Sequence, residues 1–301
     1  MTFRHRTEVI PIQTVTLTDE QFLLGIREGI PATIAGVLRI PRIDKGKLPA
    51  VVLVHGSGGL GNNITYWQER LNAAGIATFA LDVFTGRGIV DTIDDQEQLG
   101  RLSAIVDVYR ALDVIAARPL IDAARVALMG FSRGAQVALY ASVLRFQEMH
   151  APASHRYAAY LPFYPSCAIT FIDDALVAKA PIRIFHGAAD DWVPIAYVRE
   201  FVGRLKAAGA DVELVEYEGA FHAFDNPSAP LPMYYANAPT ARNRRMQEIA
   251  PGRLVDPVSG VAFTWNDPSV ERGAHTGYNA TATEAATAAV LDFLASRFEL
   301  Q

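Results

Sequence analysis

The sequence predicts an α/β protein with a mostly parallel central sheet and helices on both of its faces. Three observations carry this. Short apolar runs alternate with longer amphipathic ones along most of the chain, the order expected of strands joined by crossover helices. The run at residues 48–54, LPAVVLV, is almost wholly apolar, as a strand covered on both faces must be. Finally, Gly130-Phe-Ser-Arg-Gly134 separates an apolar run at 126–129 from a helix-like stretch at 135–144. A sharp strand-to-helix turn of this kind needs positions without a β-carbon.

The elements follow in order. Residues 33–40 read as a strand closed by Pro41, and 48–54 as the next strand, followed by a glycine-rich turn. A helix is expected at 66–74, a strand at 76–81 and a long helix at 101–117, where Leu102, Ile105, Tyr109 and Leu112 recur every three or four residues. After the serine turn and its helix, strands are expected at 157–164 and 182–185. A helix at 195–208 gathers Val198, Phe201, Val202 and Leu205 on one face and stops at Gly209. A strand at 212–217 and a closing helix at 280–298, carrying Val290, Phe293 and Leu294, complete the pattern.

Three segments fit this alternation poorly. Residues 85–100 read as a solvated polar loop bearing Asp91, Asp94, Asp95 and Glu97, and 147–155 as a loop with surface histidines. The third, at about 226–279, is rich in Pro, Asn and Gly and holds a candidate hairpin at 254–263. A structureless loop of that length is improbable in a compact domain. It is expected to pack over one end of the sheet and help wall a substrate pocket. The chain therefore reads as a single domain, 1–301, with an irregular insertion before the last helix.

Of the 301 residues half are hydrophobic and a fifth charged, an ordinary globular balance with ample material for a core. The net charge of −5 and the lack of a Lys/Arg cluster argue against a nucleic-acid partner. Cys167 is the only cysteine, so no internal disulfide forms, and it reads as a buried structural residue. The basic first residues precede no apolar stretch, so no secretory signal is expected. No run is long enough for a membrane span. A soluble cytoplasmic protein follows, with no membrane partner; homo-oligomerisation is left open.

The chemistry centres on Ser132. A Gly-x-Ser-x-Gly turn between strand and helix exposes the hydroxyl at a sheet edge and aims a helix N-terminus at it. A serine attacks a carbonyl only when a base takes its proton. Among seven histidines, His222 lies in a loop after an expected strand, while His55 and His186 each end a strand before a glycine and read as turn supports. His5, His150 and His155 sit in polar segments and His275 in the irregular stretch. The base needs a carboxylate behind it. Asp190 and Asp191 follow a strand and precede a helix, at the carboxyl end of the sheet where open parallel sheets build sites. Adjacent residues cannot both point at one imidazole. Asp190 is the preferred acid, and Asp191 is free to cap the helix. The oxyanion donors are expected to be the backbone N–H of Arg133 and that of Ser57 in His55-Gly-Ser-Gly-Gly-Leu60, with Gly58 as alternative. That turn lacks the Lys-Ser/Thr ending of a phosphate loop.

Taken together, these residues resemble the α/β-hydrolases and, within them, the dienelactone hydrolase family. The likeness runs from about Ala32 to the last helix, through His55–Leu60, Leu81-Asp-Val-Phe-Thr-Gly-Arg87, the serine turn, His186-Gly-Ala-Ala-Asp190 and Gly219-Ala-Phe-His222-Ala-Phe224. The resemblance implies a carboxylic ester or lactone hydrolase with a Ser132–Asp190–His222 triad, an acyl-enzyme intermediate, a small-molecule substrate and no cofactor or metal. Two departures stand out. The family's namesake enzymes use a cysteine nucleophile and carry a glutamate at the position of Gly56. Their carboxylate-binding arginine is matched by Arg87 with a one-residue offset, and their arginine beyond the histidine has no counterpart, since Asp225 and Asn226 stand there. A serine esterase is the safer inference than dienelactone turnover. The rivals are a peptidase or amidase on the same triad and a low-turnover receptor on a hydrolase scaffold.

Overall fold

The computed structural model describes residues 5–42, 46–152, 154–229, 232–262 and 264–300. In chain order the elements are β1 (His5–Thr16), α1 (Asp19–Leu23), β2 (Ile30–Pro41), β3 (Leu48–Val54), α2 (Asn62–Ala73), β4 (Ala77–Asp82), α3 (Ser103–Ala116), β5 (Ile121–Phe131), α4 (Arg133–Tyr140), α5 (Leu144–His150), β6 (Ala159–Phe163), β7 (Ile169–Thr170), β8 (Ile182–Gly187), α6 (Ile195–Ala207), β9 (Val212–Tyr217), β10 (Met233–Pro239), β11 (Met246–Ala250), β12 (Arg253–Val255), β13 (Arg272–Thr276) and α7 (Ala280–Phe298). Eight strands form one sheet in the order β1-β2-β4-β3-β5-β6-β8-β9. The pairs β1–β2 and β2–β4 are antiparallel; the remaining five are parallel. The fold class expected from the sequence is therefore the one observed.

The strand period of two explains why both faces are covered. Along β3, Ala50, Val52 and Val54 enter one apolar cluster, and Val51 and Leu53 the other. On β5, Val126 and Leu128 join the first, and Ala127, Met129 and Phe131 the second. Ile105 and Leu112 of α3, Val137 of α4 and Phe201 of α6 close the first face. Trp67 and Leu71 of α2 with Val290 and Leu294 of α7 close the other. Strands so covered need no polar face, which is why they read as continuous apolar runs.

The expectations depart from the structure in three places. β1 was not expected at all. It is an edge strand, with Ile10, Ile12 and Thr14 buried while Val9, Pro11 and Gln13 face out. A proline is tolerated there because an edge strand leaves one row of N–H groups unpaired. The single helix expected after the serine ends at Tyr140, and α5 takes up the first part, 147–150, of the segment read as a histidine loop. His150 is half-buried: its ring stacks on Phe22 at 4.1 Å and its Nε2 lies 2.8 Å from the Phe22 carbonyl. The segment at 226–279 carries structure of its own, as its length required, but not the full hairpin expected at 254–263. β10 pairs with β13, and β11 lies between β12 and β7. The expected hairpin shrinks to one bridge, Val255 with Ala262, closed by Asp256 and Val261; Phe263 lies outside the described residues.

Candidate active site

Ser132 sits between β5 and α4 with φ 53° and ψ −113°, a left-handed conformation that costs a non-glycine residue about 1–3 kcal/mol. Its neighbours make the turn possible. A β-carbon on Gly130 would lie 2.0 Å from the Gly134 carbonyl oxygen, and one on Gly134 would lie 2.2 Å from that of Val54. The Ser132 N–H donates to Phe163 O on the next strand at 3.0 Å, which locks the turn to the sheet. Tyr164 (φ 44°) and Ala223 (φ 54°) are likewise left-handed, and both line the cavity at Ser132. Three left-handed non-glycine residues thus meet at this cavity.

The sheet brings three distant side chains into a hydrogen-bonded row. His222 Nε2 lies 2.8 Å from Ser132 Oγ, and His222 Nδ1 lies 2.7 Å from Asp190 Oδ2. A carboxylate can only accept, so Nδ1 carries the proton and Nε2 receives the serine O–H. The other carboxylate oxygen of Asp190 accepts the N–H groups of Trp192 (2.9 Å) and Val193 (2.8 Å). Burial pushes this carboxyl up, but His222 and the N–H donors outweigh it and hold Asp190 below its ordinary value. His222 is fixed from the insertion side by a bridge to Thr276 and by Gly277 N–H on its carbonyl.

Asp191 does not cap α6. Its carboxylate holds His275, with Oδ2 2.7 Å from Nδ1 and Oδ1 accepting the His275 N–H at 2.9 Å. Asp190 instead accepts N–H groups of the turn before the helix, and α6 opens at Pro194 without a side-chain cap. His55 and His186 support turns as expected: His55 accepts Val83 N–H at 3.2 Å, and His186 Nδ1 lies 3.0 Å from the Gly187 carbonyl. Burial lowers the pKa of both rings. Cys167 is buried, and burial pushes its thiol up.

Among the described residues the N–H groups of Ser57 and Arg133 face no acceptor in the loops, and Arg133 opens α4, where an N–H has no intrahelical partner. Both residues line a cavity with Ser132. Arg133 is 5 % exposed, and its guanidinium donates to Gln96 O, Gln96 Oε1 and Leu99 O. Burial lowers it to about 9.

Arg87 is not at the site. Its guanidinium makes a two-pronged pair with Asp107, at 2.8 and 3.0 Å, and donates to Val83 O, Val15 O and Thr16 Oγ1. Asp107 is fully buried. Arg87 neutralises that carboxylate, and the expectation of substrate binding there is corrected.

Sequence reasoning missed the support under His222. Tyr164 packs edge-on against the imidazole with ring centres 4.7 Å apart. Its hydroxyl donates to Asp225 Oδ1 at 2.6 Å, and Trp67 Nε1 donates to Asp225 Oδ2 at 2.7 Å. Burial raises the Asp225 carboxyl above its ordinary value. Tyr164 ends an expected strand, which was the available signal; its distance from Asp225 in the chain hid the pairing.

A strand–serine–helix turn at the carboxyl edge of a parallel sheet, with a histidine and a carboxylate behind the serine, defines an α/β-hydrolase. The model of the dienelactone hydrolase family matches residues 34–250, and the chain belongs to that family. It is an ester-cleaving hydrolase. A Methylorubrum extorquens protein, provisionally assigned as a carboxymethylenebutenolidase, is 25 % identical over 74 % of this chain and 79 % of its own length. Among solved structures, m3DLH superposes with a TM-score of 0.63 at 20 % identity, covering 99 % of both chains. The dienelactone hydrolase-like promiscuous phosphotriesterase P91, from metagenomic libraries, does so with a TM-score of 0.60 at 18 % identity, covering 96 % of this chain and 98 % of its own. Thermogutta terrifontis esterase 2 gives 0.52 at 22 % identity over 64 % of this chain and 81 % of its own. At these identities the structures speak for the fold.

Proposed function

We propose that the protein hydrolyses a carboxylic ester or lactone of a small molecule through an acyl-enzyme on Ser132, with His222 as base and Asp190 as the acid that orients it. One observation carries the reading: the unbroken row from Asp190 to His222 to Ser132, at 2.7 and 2.8 Å. His222 takes the serine proton as Oγ attacks the carbonyl carbon. The N–H groups of Arg133 and Ser57 receive the oxyanion, each worth about 2.7–4 kcal/mol in the transition state. His222 then protonates the leaving alcohol, and water reverses the sequence. The chemistry needs no cofactor. No helix among the described residues is long and apolar enough to cross a membrane, and a cytoplasmic setting is part of this proposal.

The reading is tested with Ser132→Ala. Turnover of p-nitrophenyl acetate should vanish, and a fluorophosphonate probe should label the parent protein but not the variant. Full activity in the folded variant would overturn it. A parent protein that resists the probe would favour a receptor.

A further inference from the structure

Ser132 stands between two cavities of unlike size. The larger, about 320 Å³, is lined by His222, Met233 and Tyr235. The smaller, about 40 Å³, is lined by Arg133, Gln136 and Ser166, and His222 is not among its walls. A leaving alcohol must take its proton from His222 Nε2. The alcohol side of an ester therefore belongs in the larger cavity and the acyl side in the smaller. This rests on the catalytic reading above. At about 10–15 Å³ for one water, the acyl cavity admits roughly three heavy atoms.

Beyond its far wall lies a third cavity of about 810 Å³. The small and third cavities share Gln96, Arg101 and Trp265 as lining. The Arg101 guanidinium lies over the Trp265 ring, 4.3 Å from its centre. Arg101 Nη1 donates to Gln136 Oε1 at 3.1 Å, and Nη2 lies 3.5 Å from Gln96 Oε1. Among the described residues Arg101 Nε has no hydrogen-bond partner. The guanidinium is held by stacking and neutral acceptors, and burial lowers it to about 10. Trp265 comes from the insertion and is anchored by its N–H on Glu97 Oε1 at 2.7 Å. Past this pair, Leu17, Leu99 and Met246 give the third cavity an apolar wall.

We propose that the stacked Arg101–Trp265 pair is a partition that sets acyl length. With it in place the enzyme takes short acyl groups; without it a longer aliphatic acyl chain runs on into the third cavity. The test uses two ester series, p-nitrophenyl acetate to decanoate and ethyl to octyl acetate. In the parent protein kcat/KM should fall beyond the shortest acyl groups. Arg101→Ala and Trp265→Ala should each raise the decanoate-to-acetate ratio of kcat/KM by about tenfold or more, since each methylene that gains burial is worth about fourfold. The ratio along the alcohol series should not move. An unchanged acyl ratio in both variants, or a change in the alcohol series instead, overturns the partition. If Arg101→Ala does not fold, Trp265→Ala decides, because its residue lies outside the central sheet. Failure of the catalytic reading is seen separately, as turnover that survives Ser132→Ala.

Discussion

Replacing Asp190 by Asn tests the proton relay while sparing the packing. In the parent protein one carboxylate oxygen accepts two backbone N–H groups, and the other faces His222 Nδ1. The amide oxygen can keep the first role. Its NH2 group must then face Nδ1, which donates a proton where the carboxylate accepted one. The imidazole answers by carrying its proton on Nε2, so that it meets Ser132 Oγ as a donor and no longer as a base. Flipping the amide restores Nδ1–H but turns NH2 toward the Trp192 and Val193 N–H groups. That strands two donors at about 1–3 kcal/mol each, so the unproductive orientation is favoured. The loss in kcat should approach about 10⁴-fold, the size seen when a buried triad carboxylate becomes an amide, or about 5 kcal/mol at ~1.36 kcal/mol per decade. Initial rates on p-nitrophenyl acetate give the number, and a circular-dichroism melt confirms the fold. A folded variant within tenfold of the parent kcat would refute the argument.

Other perturbations separate support from chemistry. Arg87→Met strands the fully buried Asp107 carboxylate and should cost about 3–5 kcal/mol in urea unfolding, with KM unmoved. A raised KM at undiminished stability would return Arg87 to substrate binding. Asp225→Ala leaves the Trp67 and Tyr164 donors unpaired, at about 1–3 kcal/mol each, and should lower kcat through Tyr164 and His222. Burial raises the Asp225 pKa. Its contribution is therefore whole below the unfolded carboxylate value and is lost as pH rises through its folded value. The stability gap between parent and Asp225→Ala should narrow as pH increases; a widening gap contradicts the sign.

Much of the fold was legible because its signals are local. A strand buried on both faces has to be apolar throughout, so β3 and β5 announced themselves; a turn as tight as that at Ser132 has to carry small residues, so Gly130 and Gly134 marked it. β1 hid because an edge strand tolerates Pro11 and exposes half its residues. The order serine, carboxylate, histidine placed three residue types at the ends of three strands, and their pairing then depended on the sheet bringing those ends together. The sequence by itself determined the layered architecture and the chemistry that could be assembled at its carboxyl edge. Only the tertiary structure decided which of two adjacent aspartates met His222, that Arg87 turned inward to Asp107, and that Trp265 came to lie on Arg101. Those outcomes depend on residues far apart in the chain: Asp191 and His275, 84 positions apart, meet only once the insertion has folded back over the sheet. Periodicity is written in neighbouring residues, whereas such contacts are selected by the packing of the whole chain.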